Sequence, residues 1–243
     1  MYEEHPVFES PDDQDAKLWR YMDFTKFVNI LNNNSLFFTR ADKFRDKFEG
    51  SYPSLNRIVA PQVYPDFTEE ELEKFLGSTE KFNKVLRELT LINCWHMNEY
   101  QSAAMWDLYI KTNEGIAIQT TFKRLKESFH KTKTPIQIGK VHYIDFDTEW
   151  MPEGNAFYPF VHKRKSFEHE REIRAIQMNF PDADNPTSFA FGDNINVDVD
   201  ILIEKVYVSP DAPTWFSQLV EEVMRKYEIY KPVIHSDLYN IPK

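Results

Sequence analysis

The chain has 243 residues, 42% hydrophobic and 15% aromatic, enough to bury a sizeable core as one large unit. Its net charge of -10 opposes broad attraction to nucleic acid or anionic membranes, and no run approaches the ~18 apolar residues that cross a bilayer. One cysteine, Cys94, excludes an internal disulfide, and six glycines with no Gly-rich stretch exclude phosphate-binding loops and dinucleotide fingerprints, so a soluble cytoplasmic protein is the expectation.

Residues 1–15 are acidic and aperiodic and read as an irregular, mobile N-terminal arm; residues 16–243 read as a single α+β domain. "KLWRYM" alternates as a strand, with Leu18, Arg20 and Met22 on one face and Trp19 and Tyr21 on the other. Asp23 or Thr25 caps a helix carrying Phe27, Ile30 and Leu31, which Asn32 to Asn34 end; "SLFFT" is a second strand and "RADKFRDKFEGSYP" a charged loop. A helical insertion over about 61–90 follows, with helices at 68–77 and 79–89, the first opened by the capping box Thr68 to Glu71. "TLINCWHM" reads as a buried strand. "YQSAAMWDLYI" reads as a short helix with Met105, Trp106 and Tyr109 inward.

"GIAIQT" is another strand and Thr121 caps a basic helix. Strands follow near 136–144, at "EIRAIQM", over the alternating "NINVDVDI", and at "IEKVYVSP". A helix from Pro213 to Tyr227 places Trp215, Leu219, Val223 and Tyr227 on one face, and "PVIHSDLY" closes as a strand. Irregular interspersion of helices, without βαβ alternation, points to α+β with a mainly antiparallel sheet.

The candidate chemistry centres on "FEHEREIR", residues 167–174. Read as extended chain, it sets Glu170, Glu172 and Arg174 on one face. Such a stripe is either the wet side of a sheet or a carboxylate pair facing a substrate. Further polar residues stand where apolar ones would pack better: Arg20, Asp46 with Glu49, Glu99, Ser102 and Lys163. Each also has a plain structural reading, with Arg20 pairing Glu49, Ser102 capping a helix, and Trp106 and Tyr109 filling core. No histidine pair has metal-ligand spacing, and Cys94 beside Trp95 reads as an inert buried thiol. Together the ionic and aromatic residues suit a cleft whose walls stack on a flat ligand and whose rim binds anions.

The ordered motifs "LWRYM", "LFFTRADKFRDKFEG", "CWHMNEYQSAAMWDLY", "GIAI", "VHYID", "KRKSFEHEREIR" and "VYVSPDAP" resemble a bacterial family known only as a domain of unknown function, over roughly 17–239. Arg20, Glu49, Trp106, Tyr109, Lys163, Glu170, Glu172 and Arg174 match its motif positions. More remotely, "LWRYM", "NEYQSAAMWDLY" and "EREIRAI" follow the order of ADP-ribosyltransferases, without their Ser-Thr-Ser motif. That resemblance implies NAD as substrate and a macromolecular acceptor of unknown kind. Glu172 would stabilise an oxocarbenium-like centre, Glu170 would act on the acceptor, Arg20 would clamp the pyrophosphate, Trp106 or Tyr109 would stack on nicotinamide, and Arg174 would keep Glu172 ionised. Ser102 and Lys163 would join the nucleotide site, and Asp46, Glu49 and Glu99 the substrate side. Alternatives are a metal-dependent nuclease or phosphoesterase using Asp46, Glu49, Glu99 and Glu172, and a non-enzymatic ligand sensor or interaction module.

Overall fold

The structure, a computed structural model, describes residues 1–180 and 190–241. In chain order it runs β1 (Lys17–Asp23), α1 (Phe24–Asn33), β2 (Ser35–Arg40), α2 (Ser54–Val63), α3 (Glu69–Leu89), β3 (Thr90–Met97), α4 (Ala103–Tyr109), β4 (Gly115–Thr121), α5 (Phe122–Ser128) and β5 (Gln137–Lys140). There follow β6 (His142–Ile144), α6 (Tyr158–Val161), β7 (His162–Arg164), β8 (Glu172–Met178), β9 (Gly192–Asn196), α7 (Val199–Leu202), β10 (Lys205–Val208), α8 (Thr214–Lys226) and β11 (Val233–His235). The fold is α+β, a single domain around a mainly antiparallel sheet with the path β11-β10-β4-β1-β3-β2-β9; β8 and β5 branch from β3, and β6 with β7 forms a small parallel pair.

The branch at β3 shapes the molecule. One edge of β3 pairs with β8 along its length, from Thr90↔Met178 to His96↔Glu172. The other edge is shared: β2 takes Leu91 and Ile92, while β1 takes only His96 and Met97. Residues 93–95 have no strand partner on that edge among the described residues, so β1 and β2 diverge there and leave a fork. On its other edge β1 pairs along its whole length with β4, from Lys17↔Thr121 to Asp23↔Gly115.

Alternation in β1 divides the core as the sequence predicts. Leu18 and Met22 enter the main cluster with Phe27, Trp95, Ile118 and Phe216, whereas Trp19 and Tyr21 join Met105, Trp106 and Ala117 on the opposite face. Asn34 ends α1 in the left-handed conformation that asparagine tolerates. Asp23 precedes α1 but makes no side-chain cap, whereas Thr121 caps α5 by accepting from the Arg124 amide.

Several expectations are corrected. The two helices expected over 68–89 are one helix, α3, because Gly77 lies on its open side and the hydroxyls of Ser78 and Thr79 return to carbonyls one turn back. The expected charged loop over 40–53 holds a short 3-10 turn at Ala41–Lys43, and α2 starts directly after it at Ser54, ahead of the helical insertion expected from about 61. The alternating run "NINVDVDI", residues 194–201, is a strand only at its start, within β9; its end is the short helix α7, whose first turn Asp198 caps through the Ile201 amide. In α8 the buried line is Phe216, Val220 and Met224, one position round from the expected face, and Trp215 is exposed. Apolar residues occupy both adjacent stripes of that helix, so periodicity alone does not choose between them.

The N-terminal arm is irregular but docked. The Ile136 amide donates to the Met1 carbonyl and the Glu3 amide to the Ile136 carbonyl. The Lys140 amide donates to the Glu9 carbonyl, and Phe8 is buried against Phe157. The expectation of a mobile arm is therefore replaced by a strap along the outer edge of β5.

Candidate functional site

Arg20 stands at the fork. Its guanidinium reaches across to the Cys94 carbonyl on β3, at 2.6 Å, and lies 5.9 Å from the Trp95 ring centroid. It thus satisfies a strand acceptor that the divergence of β1 and β2 leaves without a ladder partner. Only one of its five N–H donors is used in a described bond, and it has no carboxylate partner among the described residues. Burial lowers its pKa, opposed by the nearby Cys94 and Tyr109 side chains. The expected pairing of Arg20 with Glu49 is not formed.

Glu49 pairs with Arg174 instead. Arg174 Nη1 and Nη2 hold the two Glu49 oxygens at 2.6 and 2.9 Å, and Nη1 also donates to the Phe160 carbonyl at 2.7 Å. Arg174 Nε donates to Glu172 Oε2 at 2.6 Å, Lys163 donates to Glu172 Oε1 at 2.6 Å, and Lys163 also bonds Glu170. The result is a buried chain, Glu170 to Lys163 to Glu172 to Arg174 to Glu49, with three carboxylates against two cations.

Local backbone explains how this chain assembles. Gly50 adopts a left-handed φ of 70°, and a Cβ there would meet Phe160 at 2.6 Å, so glycine permits the turn that sends Glu49 inward. Glu170 and Glu172 do not share a strand. Residues 165–170 form a 3-10 turn, Arg171 is left-handed at φ 41°, and β8 begins at Glu172. The reading of "FEHEREIR" as extended is corrected accordingly: a turn, rather than strand alternation, brings Glu170 to the Lys163 that Glu172 also holds. Glu172 and Arg174 do share a strand face, as expected.

The two glutamates are electrostatically unlike. Burial, then the hydrogen bond and repulsion from Glu172, pushes Glu170 up from 4.5 to about 7. Burial also acts to raise Glu172, but Arg174, the hydrogen bond from Glu170, and Lys163 outweigh it and hold the carboxylate below its usual range. The pair therefore places one proton-exchanging carboxyl beside one fixed charge.

The remaining candidates separate. Tyr109 is 45% exposed, and its hydroxyl, pushed up first by burial, feels Glu170 and Glu172 on one side and Arg20 on the other. It links the fork to the ion chain. Trp106 is 3% exposed, edge-on to Tyr21 and donating to Gln101, so its expected role as a stacking platform is corrected to core packing. Ser102 caps α4 by accepting from the Met105 amide, and its own amide donates to the Tyr21 hydroxyl. Asp46 pairs with Arg164, Glu49 is sealed by Arg174, and Glu99 is exposed. Burial raises the Cys94 thiol far above its usual range, which makes it a poor nucleophile.

Two features escaped sequence reasoning. A cavity of about 450 Å³ adjoins Glu172, lined by Met97, Lys140, Val141, Tyr143 and Arg171 among others, with Arg20 not in its lining. Tyr143 accepts from the Glu172 amide at 2.8 Å. His96, the register partner of Glu172, bonds the Glu170 carbonyl through Nδ1 at 2.6 Å. A histidine in the buried strand "TLINCWHM" is the signal that could have found it.

No protein-family model and no curated protein matches this sequence. Among solved structures, Thermus sp. 2.9 DarT in complex with NAD+ is similar with a TM-score of 0.40 and 8% identity, over 93% of this chain and 97% of that one. The same protein in complex with ADP-ribosylated ssDNA is similar with a TM-score of 0.37 and 9% identity, over 93% and 95%. A likeness this loose leaves the site to be argued from its own residues.

Proposed function

We propose that the chain is an NAD-consuming, ADP-ribosyltransferase-like enzyme that binds the dinucleotide at the fork where β1 and β2 part along β3, and transfers ADP-ribose to a macromolecular acceptor. The observation that carries this reading is Arg20, a half-buried guanidinium with no carboxylate partner among the described residues and one described hydrogen bond. A half-buried guanidinium with donors to spare is open to an anionic ligand, and a pyrophosphate supplies counter-charge in a geometry suited to the planar fork. Lys163 and Arg174 are already matched by carboxylates, so they serve to set the glutamates rather than to bind phosphate.

In the reaction the bond between nicotinamide and ribose C1′ breaks, and its electron pair leaves with nicotinamide. A nucleophilic oxygen or nitrogen of the acceptor forms the new bond to C1′ and gives its proton to Glu170, whose pKa near 7 suits a general base. Glu172, kept ionised by two cations, supplies fixed negative charge beside the developing positive centre. The exposed ring of Tyr109 is the surface left for stacking on nicotinamide. The cavity beyond Glu172 gives the acceptor an approach separate from the nucleotide's.

The metal-dependent alternative finds less support: no group of three or more His, Cys, Asp or Glu side chains among the described residues is placed to hold an ion. A binding module without catalysis is favoured by one specific observation, the closure of the ion chain on itself. A melting assay separates the readings. NAD should raise the melting temperature and Mg²⁺ should not, with Arg20→Lys weakening NAD by about tenfold or more because the planar fork is lost. Incubation with labelled NAD and cell extract should then move label into macromolecules. Protection by NAD without any consumption would support the binding module; no protection and no consumption would overturn the proposal.

A further inference from the structure

The turn between Glu170 and Glu172 is held from β3. His96 Nδ1 lies 2.6 Å from the Glu170 carbonyl, and because a carbonyl only accepts, Nδ1 carries the proton. The next residue repeats the grip: the Met97 amide donates to the Arg171 carbonyl at 2.9 Å. These two bonds bracket Arg171, whose left-handed φ of 41° is disfavoured for a residue with a side chain and persists only where neighbours fix it. His96 itself is 7% exposed and tilted against the Tyr21 ring. Its burial lowers its pKa, followed by a smaller opposing effect of the bond to Glu170, so the ring is the neutral donor at neutral pH. The turn so held puts the Glu170 carboxylate on Lys163 and beside Glu172, with the Tyr109 and Tyr143 hydroxyls within its field.

We propose that His96 is a positioning residue for the transfer site: its Nδ1–H bond to the Glu170 carbonyl locks the Glu170–Arg171 turn and so places the Glu170 carboxylate against Lys163 and Glu172. The inference deepens the proposed transferase reading in assigning a use to Glu170, but the placement itself is testable without NAD. Released from the clamp, Glu170 gains solvent and moves from Glu172, so its titration falls toward that of an ordinary glutamate.

Two substitutions separate the two ring nitrogens. Counted in bonds from Cα, the amide nitrogen of asparagine stands where Nδ1 does, and the glutamine amide stands where Nε2 does. His96→Asn therefore keeps the donor to Glu170 and leaves nothing at Nε2, whereas His96→Gln does the reverse. The Glu170 carboxyl is followed by carbon NMR through pH 4 to 9, with the Glu170→Gln spectrum as assignment and circular dichroism to verify folding. Wild type should titrate near 7. His96→Asn should stay near that midpoint, and His96→Gln should drop toward 4.5, with transfer falling about 10–100-fold in the second variant alone. An unmoved midpoint in His96→Gln, or a drop in His96→Asn as large as in His96→Gln, would overturn the proposal. If NAD neither binds nor reacts with wild type while the two midpoints part as expected, the transferase reading falls and the positioning role stands.

Discussion

At the residue scale, the two glutamates that the sequence presents as a matched pair require different tests. Glu172 bridges Lys163 and Arg174, so Glu172→Gln strips both of a shared partner in a buried setting, and a loss of about 3–5 kcal/mol is expected whether or not the residue is catalytic. Activity lost in that variant is therefore poor evidence for chemistry. Glu170→Gln is the cleaner probe, because a carboxyl titrating near 7 is already partly neutral and Lys163 retains Glu172. Its melting temperature at pH 6 should lie close to wild type while transfer falls about 100-fold or more. The pH dependence has a definite sign. With its folded pKa raised from 4.5 to about 7, Glu170 holds a proton in the folded state that the unfolded chain releases. Its contribution to stability is full below about 4.5 and declines as pH rises to 7, the range in which a base-dependent rate climbs. Melting and initial rates measured across that interval should move in opposite directions; parallel movement would remove Glu170 from the role of base.

At the element scale, what was legible followed from how strongly local pattern constrains backbone. The alternation of "KLWRYM" and the run "GIAIQT" allowed one placement each, and Thr121 and the Thr68–Glu71 box announced their helix starts. The 3-10 turn at 165–170 was hidden because "EREIR" has the alternation of a strand, and nothing local says that Arg171 adopts a left-handed φ to receive bonds from β3. Arg174 and Glu49 were each visible as misplaced charges, but their partnership joins residues 125 apart and depends on the whole fold. Gly77 misled in the other direction, since a glycine inside a helical pattern resembles a stop. In α3 it is only an unfavourable interior residue, with nothing within 4 Å of where a Cβ would stand. Gly77→Ala should therefore stabilise the protein by about 0.5–1 kcal/mol, raising the melting midpoint by a few degrees. A lower midpoint would mean that α3 is interrupted there, as the sequence pattern first suggested.

At the scale of the whole molecule, the sheet is two wings meeting at a short seam. β3, β8 and β5 form one wing with a long continuous ladder; β11, β10, β4 and β1 form the other; and the two touch in register only at Leu18↔Met97 and Trp19↔His96. The free edge of the first wing is β5, whose other side is taken by β8. That edge is where the N-terminal arm matters. An uncovered strand offers unpaired amides and carbonyls to another chain, and here residues 1–9 cover it through backbone bonds at Ile136 and Lys140, the buried Phe8 ring, and the Lys140 to Glu9 ion pair at 2.7 Å. Removing residues 1–9 should have two effects at once. Losing the burial of Phe8 alone costs about 2–3 kcal/mol, so the melting midpoint should drop by roughly 5 °C or more. The bared β5 edge should also make the truncated protein associate as concentration rises, which light scattering would detect. In the full chain, limited proteolysis should spare residues 1–9. Early cleavage there, together with an unchanged midpoint after truncation, would restore the mobile arm that composition alone suggested.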